Sequence, residues 1–192
     1  MATSNMSKLL KSIPQVWKIE WIGIRKERRA ELIEVKDALI TEEDGLVDDH
    51  YTKKKGKRQV TLIQAEHLQA VAGMLQKNTP ISPFLTRRNI VVAGLNLNAL
   101  KNQQFAIGEE VILEGTGYCH PCSRMEENLG AGGYNAMRGH GGITAKVIQG
   151  GTIHKGATIR FVEKKSTTDN LAPKWWRKNN FRIWFFNWMF LL

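Results

Sequence analysis

Cysteine is scarce in this chain: there are two in 192 residues, Cys119 and Cys122. That is too few for a disulfide framework and too few to ligate an iron–sulfur cluster. No second Cys-x-x-Cys pair completes a structural zinc site, and His50, His67, His140 and His154 lack the spacing of a zinc-ligand pair. No flavin motif is present, and no lysine sits in a pyridoxal-phosphate motif. Met1 to Ser12 lacks the apolar segment of a signal peptide, so the expectation is a cytoplasmic, thiol-reduced protein. Acidic residues are also in the minority, 18 against 28 basic, for a net charge of +10. The excess lies in two short runs, Lys53 to Arg58 and Lys174 to Arg182, and not along one face. With no aromatic RNA-binding motif between the basic residues, this distribution speaks against a nucleic-acid partner.

The pattern along the chain predicts one domain with tails: a flexible lead-in over 1–14, a domain over 15–163 and a tail over 164–192. Ile19, Trp21, Ile22 and Ile24, then a charged turn at Arg25–Arg29, then Leu32 to Leu39 read as a β-hairpin or meander. Asp48 to Arg58 reads as a polar, mobile loop. Thr61 and Gln64 read as a capping box before a helix whose stripe is Leu68, Val71, Ala72 and Leu75. Strand patterns follow at Asn89–Val92, Phe105–Glu114, Ile143–Ile148 and Thr158–Val162. Ile107-Gly108 before Val111 echoes Lys155-Gly156 before Ile159, each a glycine turn feeding a strand. Short strands, two clear helices and many glycine turns predict a mostly β (α+β) domain, barrel-like, with helices outside.

The tail is compositionally foreign. Eight of the sixteen aromatic residues lie between Trp175 and Phe190. Its most apolar part, Phe181 to Leu192, is too short and too polar to span a bilayer. Three readings stay open: an aromatic-basic membrane contact, a segment packing on the domain or a partner, and a shifted reading frame.

Cys119-His120-Pro121-Cys122-Ser123-Arg124-Met125-Glu126 carries the chemistry. Ser123 and Glu126 form a second predicted capping box, which puts Cys122 at the start of a short helix running to about Gly130. A helix N-terminus and Arg124 both favour thiolate over thiol there. Three meanings compete for the pair: half of a zinc site, a thioredoxin-type redox motif, or a single catalytic or ligand thiolate at Cys122 with Cys119 incidental or assisting. Arg87-Arg88-Asn89 and the glycine-rich Arg138-Gly139-His140-Gly141-Gly142 favour the third, since guanidinium forks and exposed N–H groups grip anions such as phosphate.

The ordered string Gly45-Leu46, Asp48 and His50, then Arg58-Gln59-Val60-Thr61-Leu62-Ile63 and Glu66, then Arg88-Asn89-Ile90, Val92 and Gly94 resembles the MOSC domain. Pro121-Cys122, then Arg138-Gly139 with Gly141-Gly142, then Gly151, Ile153 and Gly156 continue the resemblance. It covers about residues 15–163. That family includes the C-terminal module of molybdenum cofactor sulfurases, stand-alone bacterial proteins and the mitochondrial amidoxime-reducing component.

The resemblance implies a MOSC-type β-barrel and an essential cysteine, Cys122. Cys122 would ligate the molybdenum of a molybdenum cofactor (molybdopterin) or carry sulfur as a persulfide. Arg58, Arg88, Asn89 and Arg138, with His140 and Gly141, would hold the cofactor's pterin and phosphate; Cys119, His50 and Glu126 are secondary candidates. The expected function is reduction of N-hydroxylated or related small substrates, with electrons from a separate redox partner. Its rival is a sulfur carrier charged by a cysteine desulfurase. Pyridoxal phosphate belongs to the family at large. The family's usual Gly-Asp near the last strand is Gly156-Ala157 here, and neither Cys119 nor the aromatic tail is a general family feature.

Overall fold

Alternation of apolar and polar residues at Trp17–Glu20, followed by an unbroken apolar run to Ile24, dictates a strand that faces one core at its start and two at its end. The computed structural model bears this out and describes residues 2–51 and 53–164. The aromatic tail, and every reading attached to it, lies outside the described residues.

In chain order the elements are α1 (Ala2–Lys11), β1 (Trp17–Ile24), β2 (Ile33–Glu34), β3 (Asp37–Thr41), β4 (Gly45–Leu46), β5 (Val60–Gln64), α2 (Ala65–Met74), α3 (Pro83–Thr86), β6 (Ile90–Ala93), a 3-10 turn (Leu97–Leu100), β7 (Gln104–Ile107), β8 (Val111–Tyr118), α4 (Ser123–Leu129), α5 (Gly133–Ala136), β9 (Ile143–Gln149), β10 (Gly151–His154) and β11 (Thr158–Val162). The strand order β11-β7-β8-β9-β5-β6-β1 closes through pairing of β1 with β11, Trp17 opposite Ile159. The result is a seven-stranded barrel, with β2 attached to the far end of β1. Closure removes the free sheet edges that an open sheet would expose. One neighbouring pair is parallel, β5 with β6, and the chain makes that crossover through α2 and α3. A small second sheet, β10-β3-β4, flanks the barrel.

Two cores result. The barrel interior is filled by Trp17, Ile19, Ile22, Leu62, Ile90, Phe105, Leu113 and their neighbours. The second core lies between the outer barrel face (Trp21, Ile63, Val91) and the helices, through Leu68, Val71, Met125, Leu129 and Met137. Strands β5 and β6 are buried on both faces, which explains their nearly continuous apolar sequences. Gly108 and Gly156, the two echoed turns, both take positive φ (60° and 88°) and feed β8 and β11.

Three local expectations are corrected. Residues 2–11 are helical, where a loose lead-in is expected. Thr61 is not a helix cap: it lies in β5, where its hydroxyl donates to Asn89 Oδ1 at 2.7 Å. Gln64 does precede α2 but makes no side-chain cap, because its Oε1 accepts from the Leu97 N–H at 2.9 Å. The segment's β pairing outcompetes the local capping signal.

Phe105 is fully buried inside the barrel. Phe105→Ala should lower the unfolding free energy by about 3–5 kcal/mol in urea titration, the usual cost of emptying an aromatic core position.

Candidate functional site

The segment after β8 leaves the barrel at Tyr118 and passes Cys119 beneath the glycine loop before α4 begins. That loop requires glycine. A Cβ on Gly141 would lie 2.0 Å from the Cys119 carbonyl oxygen, and one on Gly142, at φ 78°, would lie 1.9 Å from the Leu62 carbonyl oxygen. The cysteine strap therefore lies directly on the loop, with the Cys119 N–H donating to the Gly142 carbonyl at 2.8 Å. Cys119 is buried and Cys122 exposed, both as free thiols.

Arg88 ties this arrangement together. Its guanidinium donates to the carbonyls of Gly141 (Nε, 2.8 Å), Thr86 (Nη1, 2.9 Å) and Cys119 (Nη2, 3.1 Å). The residue is 6 % exposed, and burial pulls its pKa below the usual arginine value. Arg87 beside it caps α3 in the left-handed region, φ 59°. Few non-glycine residues adopt that conformation, and when one does the strain often marks function. From there Arg87 Nη1 reaches Cys122 Sγ at 3.8 Å.

A cleft of about 310 Å³ opens above these groups, lined by Arg25, Arg58, Arg87 and Arg88 with Tyr51, Thr61, Cys119, His120 and Cys122. Arg25 is 6 % exposed, and its buried Nε has no hydrogen-bond partner among the described residues. Burial and the nearby Arg87 lower its pKa. One His50 tautomer closes the network behind it: Nδ1–H donates to Asp49 (3.2 Å), and Nε2 accepts from Arg25 Nη2 (3.1 Å). His50 thus positions Arg25 and does not line the cleft. Among the described residues no carboxylate lies within ion-pairing distance of the guanidinium of Arg25, Arg87 or Arg88. Asp49 offsets part of the charge of Arg25 from behind, but the cleft lining itself holds four arginines and no carboxylate, which disposes it to take an anion.

The structure disperses other candidates. Of Arg58, Arg88, Asn89, Arg138, His140 and Gly141, Arg58 and Arg88 line the cysteine cleft. Asn89 is buried beneath it: Oδ1 accepts from Thr61, and Nδ2 donates to Gly23 O and Asp49. Arg138 lies in a separate groove with Pro121 and Tyr134, and His120 borders both. His140 packs edge-on against His67, ring centroids 5.1 Å apart. Burial, then His140, lower the pKa of His67. Gly141 gives its carbonyl to Arg88.

The capping box at Ser123 is also corrected. Cys122 is the N-cap of α4 and makes no side-chain cap, while Glu126 reaches forward to the N–H groups of Gly132 (2.7 Å) and Tyr134 (2.8 Å). Those bonds hold its carboxyl below the usual range and tie α4 to α5. Arg124 pairs with Glu127, so the cation at Cys122 is Arg87. Arg25 and Tyr51 are cleft residues that the sequence did not mark; Arg25 reads there as one charge in a turn.

No metal-binding group of three or more His, Cys, Asp or Glu side chains is found among the described residues. No helix there is long and apolar enough to cross a membrane.

Because Arg88 satisfies three carbonyls, its removal should destabilise the fold and not merely weaken ligand binding. Arg88→Ala should cost about 2–5 kcal/mol of unfolding free energy, and Arg88→Lys should recover little, because an ammonium cannot reproduce the planar fork. Urea unfolding of both variants measures this; unchanged midpoints would show that Arg88 is no brace.

The sequence profile described as the MOSC domain matches residues 47–160. Among solved structures, the YuaD protein of Bacillus subtilis superposes with a TM-score of 0.68 at 18 % identity, covering 79 % of this chain and 98 % of its own. YiiM of Geobacillus stearothermophilus gives 0.63 at 16 % identity, covering 79 % and 77 %, and YiiM of Escherichia coli 0.61 at 19 %, covering 80 % and 72 %. No curated protein matches the sequence. These likenesses carry the fold, and the profile match across more than half the sequence carries the family: the chain belongs to the MOSC domain family.

Proposed function

We propose that the cleft holds a molybdenum cofactor through Cys122 and reduces N-hydroxylated or related small substrates, using electrons from a separate redox partner. The observation that carries this reading is the exposed Cys122 sulfur 3.8 Å from Arg87, at the mouth of a cleft whose four arginines have no fixed counter-ion in it.

The residues fit such a group. A soft thiolate suits molybdenum, and the single sulfur suits a metal that arrives with ligands of its own. The unpartnered Nε of Arg25 and the forks of Arg58 and Arg87 suit an anionic pterin phosphate. When bound, the cofactor would supply a metal able to take up an oxygen atom in a two-electron exchange.

The chain's own residues then do three things. Cys122 anchors the metal, with Arg87 Nη1 3.8 Å from its sulfur. Arg25, held by His50, and Arg58 hold anionic groups in place. Arg88 and the glycine loop fix the Cys119 carbonyl, and through it the strap that carries Cys122. The net reaction breaks the substrate N–O bond. Its oxygen leaves as water, with two electrons from the redox partner and two protons from solvent.

Exposure of Cys122 favours one second reading, a sulfur carrier. A cysteine desulfurase's persulfide would pass its terminal sulfur to the Cys122 thiolate and leave as a thiolate.

Protein produced in a host that makes the cofactor should contain about one molybdenum per chain, with Cys122→Ser lowering it at least tenfold and Cys119→Ser retaining most of it. Elemental analysis reads this. A metal-free wild type that gains one sulfur on Cys122 from desulfurase and cysteine would replace the first reading with the second. Neither metal nor sulfur would remove both.

A further inference from the structure

A second cleft, of about 290 Å³, adjoins the cysteine cleft and shares two of its walls, Arg25 and Arg87. Its lining also includes Arg29, Leu32, Phe84 and Leu85. We infer that this cleft binds planar aromatic anions, and that these are the substrates presented to Cys122; the inference rests on the reductase reading for its chemistry but not for the binding itself.

Its walls have two natures. One is cationic. Arg25, Arg29 and Arg87 contribute three guanidinium groups, none paired with a carboxylate among the described residues, against the one unpaired carboxylate on the wall, that of Glu31. Arg124 also lines the cleft, but its charge is met by Glu127. Arg29 and Arg87 both take positive φ, 77° and 59°. The fold thus holds two arginines that line one cavity in a backbone conformation rare for them. A planar guanidinium fork matches a carboxylate or phosphate with two parallel hydrogen bonds.

The other wall is apolar. Leu32 is buried, while Phe84 and Leu85 are 45 % and 37 % exposed. The Phe84 ring is braced edge-on by Trp21, centroids 5.3 Å apart and planes at 78°. A fixed, half-exposed ring beside guanidinium groups without a carboxylate partner is a platform for stacking an aromatic body whose charged end meets the arginines. A phosphate alone would not use this wall, and a neutral aromatic would not use the other. Arg87 borders both clefts and lies 3.8 Å from Cys122 Sγ, so a molecule held by it here abuts the cysteine cleft.

Three probes separate the contributions: 4-carboxybenzamidoxime (aromatic and anionic), benzamidoxime (aromatic and neutral) and the amidoxime of a short aliphatic carboxylate (anionic only). Binding is measured by calorimetry on the full chain, wild type and Cys122→Ser, so that no turnover is needed. The first probe should bind at least tenfold tighter than either of the others in both proteins. Arg29→Ala and Phe84→Ala should each weaken it at least fivefold while leaving the unfolding midpoint within a few degrees of wild type. In turnover the same variants should raise KM more than they lower kcat. Equal affinity for the three probes, or unchanged binding in both variants, would overturn the inference even if the protein reduces all three. Selective binding without any reduction keeps the inference about the cleft and removes the reductase reading.

Discussion

One buried guanidinium joins the parts of the site. Arg88 enters from two residues before β6 and bonds carbonyls contributed by the end of α3, the cysteine strap and the glycine loop. Three segments distant in sequence meet at its planar fork. Each of these bonds also answers a carbonyl that the barrel rim would otherwise leave without a donor. Burying a cation with no paired carboxylate is costly. The fold bears that cost at the one place where Cys119 and Gly141 must be held together. The close approach of glycine to the Cys119 carbonyl and the fork of Arg88 are two halves of the same constraint.

Positive charge is the second consequence. Burial first, with neighbouring guanidinium groups adding to it, lowers the pKa of Arg25 and Arg88, while Asp49 opposes this at Arg25. Crowded positive charge of this kind is relieved by a bound anion. Stability and ligand affinity are therefore linked here: an anion that binds the folded state and not the unfolded one raises apparent stability by mass action. The two clefts, sharing Arg25 and Arg87, form one continuous basic surface centred on the exposed sulfur.

Much of the fold was legible in the sequence. The strands at Trp17–Ile24, Ile143–Gln149 and Thr158–Val162, the helix after Gln64 and the helix stopping at Gly130 lie where apolar period and glycine placement put them. The family was legible because its residues recur in a fixed order. Local capping signals misled twice, at Thr61 and Ser123, because Thr61 bonds Asn89 beside the neighbouring strand and Glu126 bonds the N–H groups that open α5. The sequence singles out Cys122, an unusual residue in an unusual context, and says much less of the residues around it. Arg25 looked like any charged turn residue, and Asn89, Arg138 and His140 looked like neighbours of the cysteine but point to a buried strand junction, a separate groove and a histidine pair.

The sequence by itself determined the main strands and the helices after Gln64 and Cys122, that helices would pack outside the barrel, and which sulfur to single out. These follow from periodicity and residue chemistry, which are local. Tertiary structure alone decided which arginines face that sulfur, which one braces the backbone, and that a second, aromatic-lined cleft adjoins the first. Those depend on the pairing of β1 with β6, and of β6 through β5 and β9 with β8, which brings Arg25, Arg87 and Cys122 together from positions far apart in the chain. No local pattern encodes a distance between such residues; only the packed backbone does.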